Sequence, residues 1–239
     1  MLKKTVVIIQ SNYIPWKGYF DLINQADEFI FYDEVQYTKN DWRNRNKIKT
    51  QNGMQWLTIP VSQITLSQKI KDTQIASSTW NRKHWAAISN AYAKAKYFGE
   101  YKDIFEELYS RLDTKYLCEV NYVLVKKICE ILEIKTKINW SSNFKLSSGK
   151  TERLVDICKE TGATEYLTGP SAKNYIDENL FMSEGIVLKY MDYSSYPEYN
   201  QLYKPFVHEV SIIDLIFNEG PNASKFMKSF KDSGLMVEV

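Results

Sequence analysis

Cysteine, histidine and long apolar runs are all scarce in this chain of 239 residues. Its three cysteines, Cys118, Cys129 and Cys158, form an odd, widely spaced set with no CxxC pair. That argues against a disulfide framework or a cysteine zinc site and points to a reducing compartment, the cytoplasm. They fall on the apolar stripes or edges of predicted helices and read as buried, inert thiols, so a thioester intermediate is not expected. With only His84 and His208 present, any imidazole chemistry must use one of them. No stretch approaches the roughly eighteen apolar residues that span a bilayer, so no membrane span is expected; the run Thr5-Val-Val-Ile-Ile9 is also too short for a signal peptide. GxGxxG, GxxxxGK[ST] and HExxH are missing too, which argues against the usual dinucleotide, P-loop and zincin sites; no cofactor and no metal is expected. A net charge of +2 is too small to argue for nucleic acid or a membrane surface as partner. There is no internal repeat, low-complexity tract or obvious linker.

What remains is an ordinary globular composition, 44% hydrophobic and 25% charged, with an excess of rings: 17 Tyr, 11 Phe and 6 Trp. Those rings suit either an aromatic core or a cleft that stacks sugars or bases. The β-branched run ending at Ile9 predicts a strand covered on both faces, followed by a turn at Asn12-Tyr-Ile-Pro15, a helix over 16–26 and a second strand, Phe29-Ile-Phe-Tyr32. This is a βαβ unit with a right-handed crossover. The basic segment 36–59 reads as a loop or hairpin that ends in a strand before Pro60. Helices follow over 80–97, 100–112 and 119–133. A second β-α-β texture then consists of a strand over 137–140, a helix over 151–160 stopped by Gly162, and strands over 165–168 and 186–190. A last helix over 211–218 opens on a capping box, Ser211-Ile-Ile-Asp214. The pattern predicts one α/β domain over 1–239: a Rossmann-like, doubly wound, mostly parallel sheet built from both ends of the chain, with a helical subdomain over 80–133 inserted in the middle.

Residues at strand ends are the candidates for function. Gln10, Tyr13, Trp16 and Tyr19 lie where the first strand hands over to the first helix, the edge that borders the ligand crevice in open α/β sheets. Packing of the helix onto the sheet would also account for the rings. Asp33-Glu-Val-Gln36 follows the second strand; Asp33 could accept sugar hydroxyls or serve as a base, or be a solvated turn carboxylate. Within the basic segment, Trp42, Arg43, Asn44 and Arg45 combine guanidinium groups for phosphate with a ring face for a base or sugar, whereas Lys47 and Lys49 read as an exposed strand face. His84, near the start of a helix, is the preferred general base, with a plain helical histidine as its alternative. The set His208, Ser211 and Asp214 has triad residue types, but at helical spacing and with the serine as a cap it is weak evidence for nucleophilic catalysis.

Several segments together resemble the WbqC-like family. They are Gln10-Ser-Asn-Tyr-Ile-Pro-Trp-Lys-Gly-Tyr-Phe20, Ala26-Asp27, Tyr32-Asp-Glu-Val-Gln36 and Trp42-Arg-Asn-Arg45, then Gly53, Trp56-Leu57 and Pro60. The likeness continues through Trp80, His84, Tyr166-Leu-Thr-Gly169, Tyr199-Asn-Gln201, Phe206, Ser211-Ile-Ile-Asp-Leu215 and Gly220, and so covers nearly the whole chain. Ser11 stands where that family usually has proline, which should loosen the turn without moving the site. The resemblance implies a role in O-antigen and related surface polysaccharide synthesis: transfer of an acyl or aminoacyl (glycyl-like) group to the amine of a nucleotide-linked amino sugar, with an acyl or aminoacyl carrier protein as a further partner. It also brings Tyr199, Gln201 and Ser211 into the candidate site. The strand, Pro-Trp-Lys-Gly-Tyr turn, helix and strand are similar in layout to nucleotidylyltransferases, with aromatics where those enzymes have histidines. Nucleotidyl transfer to a sugar phosphate and a non-catalytic sugar- or carrier-binding module are therefore the competing expectations.

Overall fold

The computed structural model describes residues 2–230; residue 1 and residues 231–239, which the expected domain includes, lie outside the described residues. In chain order the strands are β1 (Thr5–Ile9), β2 (Glu28–Phe31), β3 (Arg45–Thr50), β4 (Gly53–Thr58), β5 (Val61–Ser62), β6 (Gln74–Ile75), β7 (Lys137–Trp140), β8 (Glu165–Thr168) and β9 (Val187–Tyr190). The α-helices are α1 (Lys17–Asn24), α2 (Trp80–Tyr92), α3 (Phe98–Arg111), α4 (Leu117–Ile131), α5 (Lys150–Thr161), α6 (Glu178–Ser183) and α7 (Ile212–Glu219).

The β-branched run of β1 forms the centre of a five-stranded sheet because it can be covered on both faces. Its order is β7-β2-β1-β8-β9, and each neighbouring pair is parallel. Numbered in chain succession these strands run 3-2-1-4-5, so the winding reverses between β1 and β8. Alternate residues feed two apolar layers. Val7, Phe29 and Phe31 pack with Phe20 and Ile23 of α1 and Leu124 of α4. Val6, Ile8 and Ile30 pack with Leu154 and Ile157 of α5 and Phe181 of α6. The sheet is thus doubly wound, as the two βαβ textures predict. Helices α2 to α4 follow the short β5–β6 pair, and their apolar stripes join the α1 layer.

The basic segment is a hairpin. β3 and β4 pair antiparallel from Arg45↔Thr58 to Thr50↔Gly53, with Ile48 and Leu57 turned into the core. Gly162 ends α5 in the left-handed conformation, φ 69, as its placement predicts. The predicted helix over 80–97 is shorter than expected: α2 stops at Tyr92, and the Tyr97 amide donates to the Phe217 carbonyl of α7 at 2.9 Å. All three cysteines are free and buried, with burial pushing their thiols up to about 12. No helix among the described residues is long and apolar enough to cross a membrane.

The capping box at α7 is only half formed. The Ser211 hydroxyl accepts from the Ile213 amide at 3.3 Å, but the Ser211 amide donates to Lys47 O at 2.9 Å. Asp214 turns inward, fully buried, and accepts from the Tyr199 hydroxyl at 2.5 Å, the Tyr92 hydroxyl at 2.9 Å and Gln201 Nε2 at 2.9 Å. Lys49 Nζ donates in turn to Gln201 Oε1 at 2.6 Å. Burial raises the Asp214 carboxyl above the usual range against the pull of these donors. Because one carboxylate satisfies four buried donors, the fourth being Asn218 Nδ2 at 3.4 Å, Asp214→Ala should lower the unfolding free energy by about 3 kcal/mol with an unchanged m-value in urea. A loss below about 1 kcal/mol would show that the network does not carry the fold.

Candidate functional site

A cavity of about 480 Å³ opens across the carboxyl ends of β1, β2 and β8. This is where the winding reverses, and hence where a doubly wound sheet leaves a crevice for a ligand. Its floor is Ile8, Tyr32, Leu154 and Tyr166; Trp16, Tyr19, Trp42 and Tyr193 supply walls of rings. Gln10, Asn12, Thr168 and Ser171 offer polar groups. Positive charge comes from Arg43, Lys150 and Arg153, the last two from the first turn and a half of α5. Asp41, 3.5 Å from Arg43, is the one carboxylate paired with any of the three among the described residues.

The turn between β1 and α1 is built by its neighbours. Ile14 sits at φ 34, a region that costs a β-branched residue strain. Asn46 of β3 offsets that strain by donating to the Tyr13 and Ile14 carbonyls at 3.1 and 2.9 Å. The Asp33 carboxylate accepts from the Ser11 amide at 2.8 Å, and Asn121 of α4 donates to Ser11 Oγ at 3.1 Å and to Arg43 O at 2.9 Å. Arg43 then donates to Asn12 Oδ1 and, at 3.1 Å, to Gln10 Oε1. Gly18 lets the Trp16 indole fold over the first turn of α1, since a β-carbon there would stand 2.3 Å from the ring.

Of the residues expected at the site, Gln10, Trp16, Tyr19, Trp42 and Arg43 line the cavity. Asp33 lies on the same sheet edge but beneath it, 2% exposed; burial pushes its carboxyl up to about 6, and Oδ2 has no hydrogen-bond partner. It supports the Ser11 turn and does not line the cavity. Gln36 is exposed and donates to Leu66 O at 2.6 Å, outside the cavity. Asn44 is buried and donates to Ile59 O at 2.8 Å. Arg43 lines the cavity but Arg45 does not: β3 begins at Arg45, whose guanidinium lies 4.2 Å over Trp56 on the outer hairpin face. Tyr199, Gln201 and Ser211 belong to the α7 network described above. Neither Ser211 nor Asp214 is hydrogen-bonded to His208, so no triad assembles.

His84 is 7% exposed, away from the cavity. Its Nε2 is 3.2 Å from Thr58 O, a group that only accepts, so the proton sits on Nε2. Nδ1 then accepts from the Tyr13 hydroxyl at 2.7 Å, and Tyr13 accepts from Tyr109 at 2.8 Å. Both ring nitrogens and the Tyr13 hydroxyl are thus used to join α2 and α3 to the turn, and neither expected residue lines the cavity.

A second concavity of about 590 Å³ lies between α3 and α4, but its Arg111 and Lys127 are paired with Glu107 and Glu130. With its charges already compensated it offers an anion less than the sheet-edge cavity does.

Comparison with known proteins agrees with these segments. The model of the WbqC-like protein family matches residues 10–226. The chain belongs to the WbqC-like protein family. It is 45% identical over 226 residues to Rv1507c, an uncharacterized protein of Mycobacterium tuberculosis (strain ATCC 25618 / H37Rv), an overlap that covers 94% of this chain and 98% of that one. No solved structure matches the chain.

Part of this WbqC-like cavity escapes a linear reading, because the pairing of β1 with β8 joins residues far apart in sequence. Asn12, Lys150, Arg153, Thr168 and Tyr193 are the clearest omissions. One signal was present: Lys150 at the first position of α5 opposes the helix dipole, a placement that local stability disfavours.

His84 supplies a pH test. Burial lowers its pKa from 6.5 to about 4. Between those values the unfolded chain takes up a proton that the folded chain refuses, so this group costs stability as pH falls, by roughly 3 kcal/mol over the window. Asp33, raised to about 6, acts oppositely: its contribution is lost as pH rises from about 4 to 6. Imidazole NMR at pH 5.5 should show His84 as the neutral Nε2–H tautomer; an imidazolium signal there would contradict the buried network.

Proposed function

We propose that this protein is a transferase of bacterial O-antigen or related surface polysaccharide synthesis that moves an acyl or aminoacyl, glycyl-like group onto the amine of a nucleotide-linked amino sugar. The observation that supports this most is the cavity at the winding reversal, where three cations and several ring faces converge. Arg43, Lys150 and Arg153 suit a diphosphate. Trp16, Tyr19 and Tyr193 suit the apolar faces of sugar or base, and Gln10, Asn12 and Thr168 suit hydroxyl groups. Its volume is within the range of small-molecule sites.

In the reaction the sugar amine attacks the donor's carbonyl carbon: a carbon–nitrogen bond forms, the bond to the donor's carrier breaks with its electron pair leaving on the carrier group, and the proton lost by the amine passes to that departing group. The amine must be neutral to attack. Nearby cations disfavour its protonated form, so the same charges that hold the diphosphate also prepare the nucleophile. Catalysis then rests on positioning, with no imidazole required. An acyl or aminoacyl carrier protein is the expected partner that delivers the donor.

A second reading, nucleotidyl transfer to a sugar phosphate, draws on the 3-2-1-4-5 sheet with cations along its carboxyl edge. There Arg43, Lys150 and Arg153 would stabilise the transferring phosphate in place of histidines. Release of pyrophosphate from a nucleoside triphosphate and a sugar phosphate would select that reading over acyl transfer.

Calorimetry with nucleotide-linked amino sugars tests the first reading. Parent protein should bind, and Arg43→Ala and Lys150→Ala should each weaken binding about tenfold or more. Lys150 is exposed and has no ion-pair partner among the described residues, so its loss leaves the fold intact. A parent that binds no such compound, or variants that bind as it does, would contradict the assignment.

A further inference from the structure

The outer face of the β3–β4 hairpin carries a second arrangement that shares only Trp42 with the cavity. Trp42 and Trp56 are each 42% exposed, with ring centroids 5.5 Å apart and planes tilted by 35°. Lys47 Nζ stands 5.1 Å from the Trp56 ring and 5.9 Å from Trp42, beside the Arg45 guanidinium on Trp56. Neither cation has a carboxylate partner among the described residues, and Arg45 Nε is buried without a hydrogen-bond partner. Such stacking at an exposed site does little to offset the exposure of two indoles. An exposed, cation-flanked tryptophan pair is therefore a surface shaped for something else.

Three features narrow what it takes. Uncompensated Arg45 and Lys47 call for an anion. Two neighbouring indoles call for a flat ring, which neither a plain polyol nor an acidic peptide supplies. Trp42 is also a wall of the cavity, and its carbonyl accepts from the Tyr13 amide at 2.9 Å, so the platform is held in fixed relation to the β1–α1 turn. On the other face, buried Asn46, Ile48 and Leu57 anchor the hairpin.

We propose that Trp42, Trp56, Arg45 and Lys47 form a nucleoside-phosphate station continuous with the cavity, the base stacking on the indoles and the phosphate meeting the cations. The inference rests on the reading of the cavity as a site for a two-substrate group transfer. A nucleoside phosphate has two sources there: the base end of the sugar nucleotide reaching out of the cavity, or a nucleotide portion of the donor.

Titration of uridine and adenosine monophosphates, with ribose 5-phosphate as the base-free control, tests the station directly. Trp56→Ala should weaken nucleotide binding about tenfold, the order of one base-aromatic stack, and leave ribose 5-phosphate unchanged. Trp56→Phe should retain most of the affinity, and the partly exposed Lys47→Glu should lose it without disturbing the core. A loss confined to the adenosine compound assigns the station to the donor, and one confined to the uridine compound assigns it to the sugar nucleotide; both uphold it. Nucleotide binding that Lys150→Ala weakens but Trp56→Ala and Lys47→Glu do not overturns the station and leaves the cavity reading standing. The reverse pattern upholds the station, and the cavity reading is then judged separately by whether Lys150→Ala weakens binding of the nucleotide-linked amino sugar. A parent that binds neither nucleotide overturns the station.

Discussion

A strained turn between β1 and α1 is the constraint on which the rest depends. Ile14 at φ 34 is held there because Asn46 takes the two carbonyls on either side of the bend. Every neighbouring layer adds a bond: Asp33 from the end of β2, Asn121 from α4, Trp42 O from the loop before β3, and the Ile212 amide of α7, which donates to Pro15 O at 2.9 Å. The turn is thus over-determined by segments brought together from across the chain, as persistence of local strain requires. Its consequence is a fixed placement of Gln10, Asn12 and Trp16 at the cavity mouth, with Arg43 drawn in by the first two.

The buried polar groups divide between holding and receiving. Asp33, His84, Tyr13, Asn121 and Asp214 spend their hydrogen bonds on the protein itself. Lys17 does likewise: burial lowers its pKa to about 8, and its Nζ donates to Pro197 O at 3.0 Å and stands 4.9 Å from the Tyr196 ring. By contrast, Lys150, Arg45 and Lys47 lie at or near the surface without carboxylate partners among the described residues. Positive charge left uncompensated beside rings is the feature that fold stability does not explain and ligand recognition does.

Much of the framework was legible in the sequence. The Thr5–Ile9 run, Pro15, the resumption of apolar residues at Phe29 and the stop at Gly162 each act locally, and each element forms near its expected place. The common edge of Gln10 and Asp33 also followed from two successive strand ends. What could not be read was tertiary. His84 near a helix start looked available, and only the approach of Tyr13 and Thr58 shows both nitrogens engaged. Asp214 matched a local capping pattern, yet burial gave it Tyr92 and Tyr199 as partners. Arg43 and Arg45 differ by two positions, but one precedes the strand and the other lies on its outer face. Lys150 and Arg153 join the site because α5 packs against β1.

The place where an anionic sugar compound binds decides the role of the cavity. The most direct measurement is a crystal structure of the protein with a nucleotide-linked amino sugar. The sugar should lie above the carboxyl ends of β1 and β8, with phosphate oxygens hydrogen-bonded to Arg43, Lys150 or Arg153. A ligand seated instead between α3 and α4, or one whose phosphates meet none of those three side chains, would contradict that role.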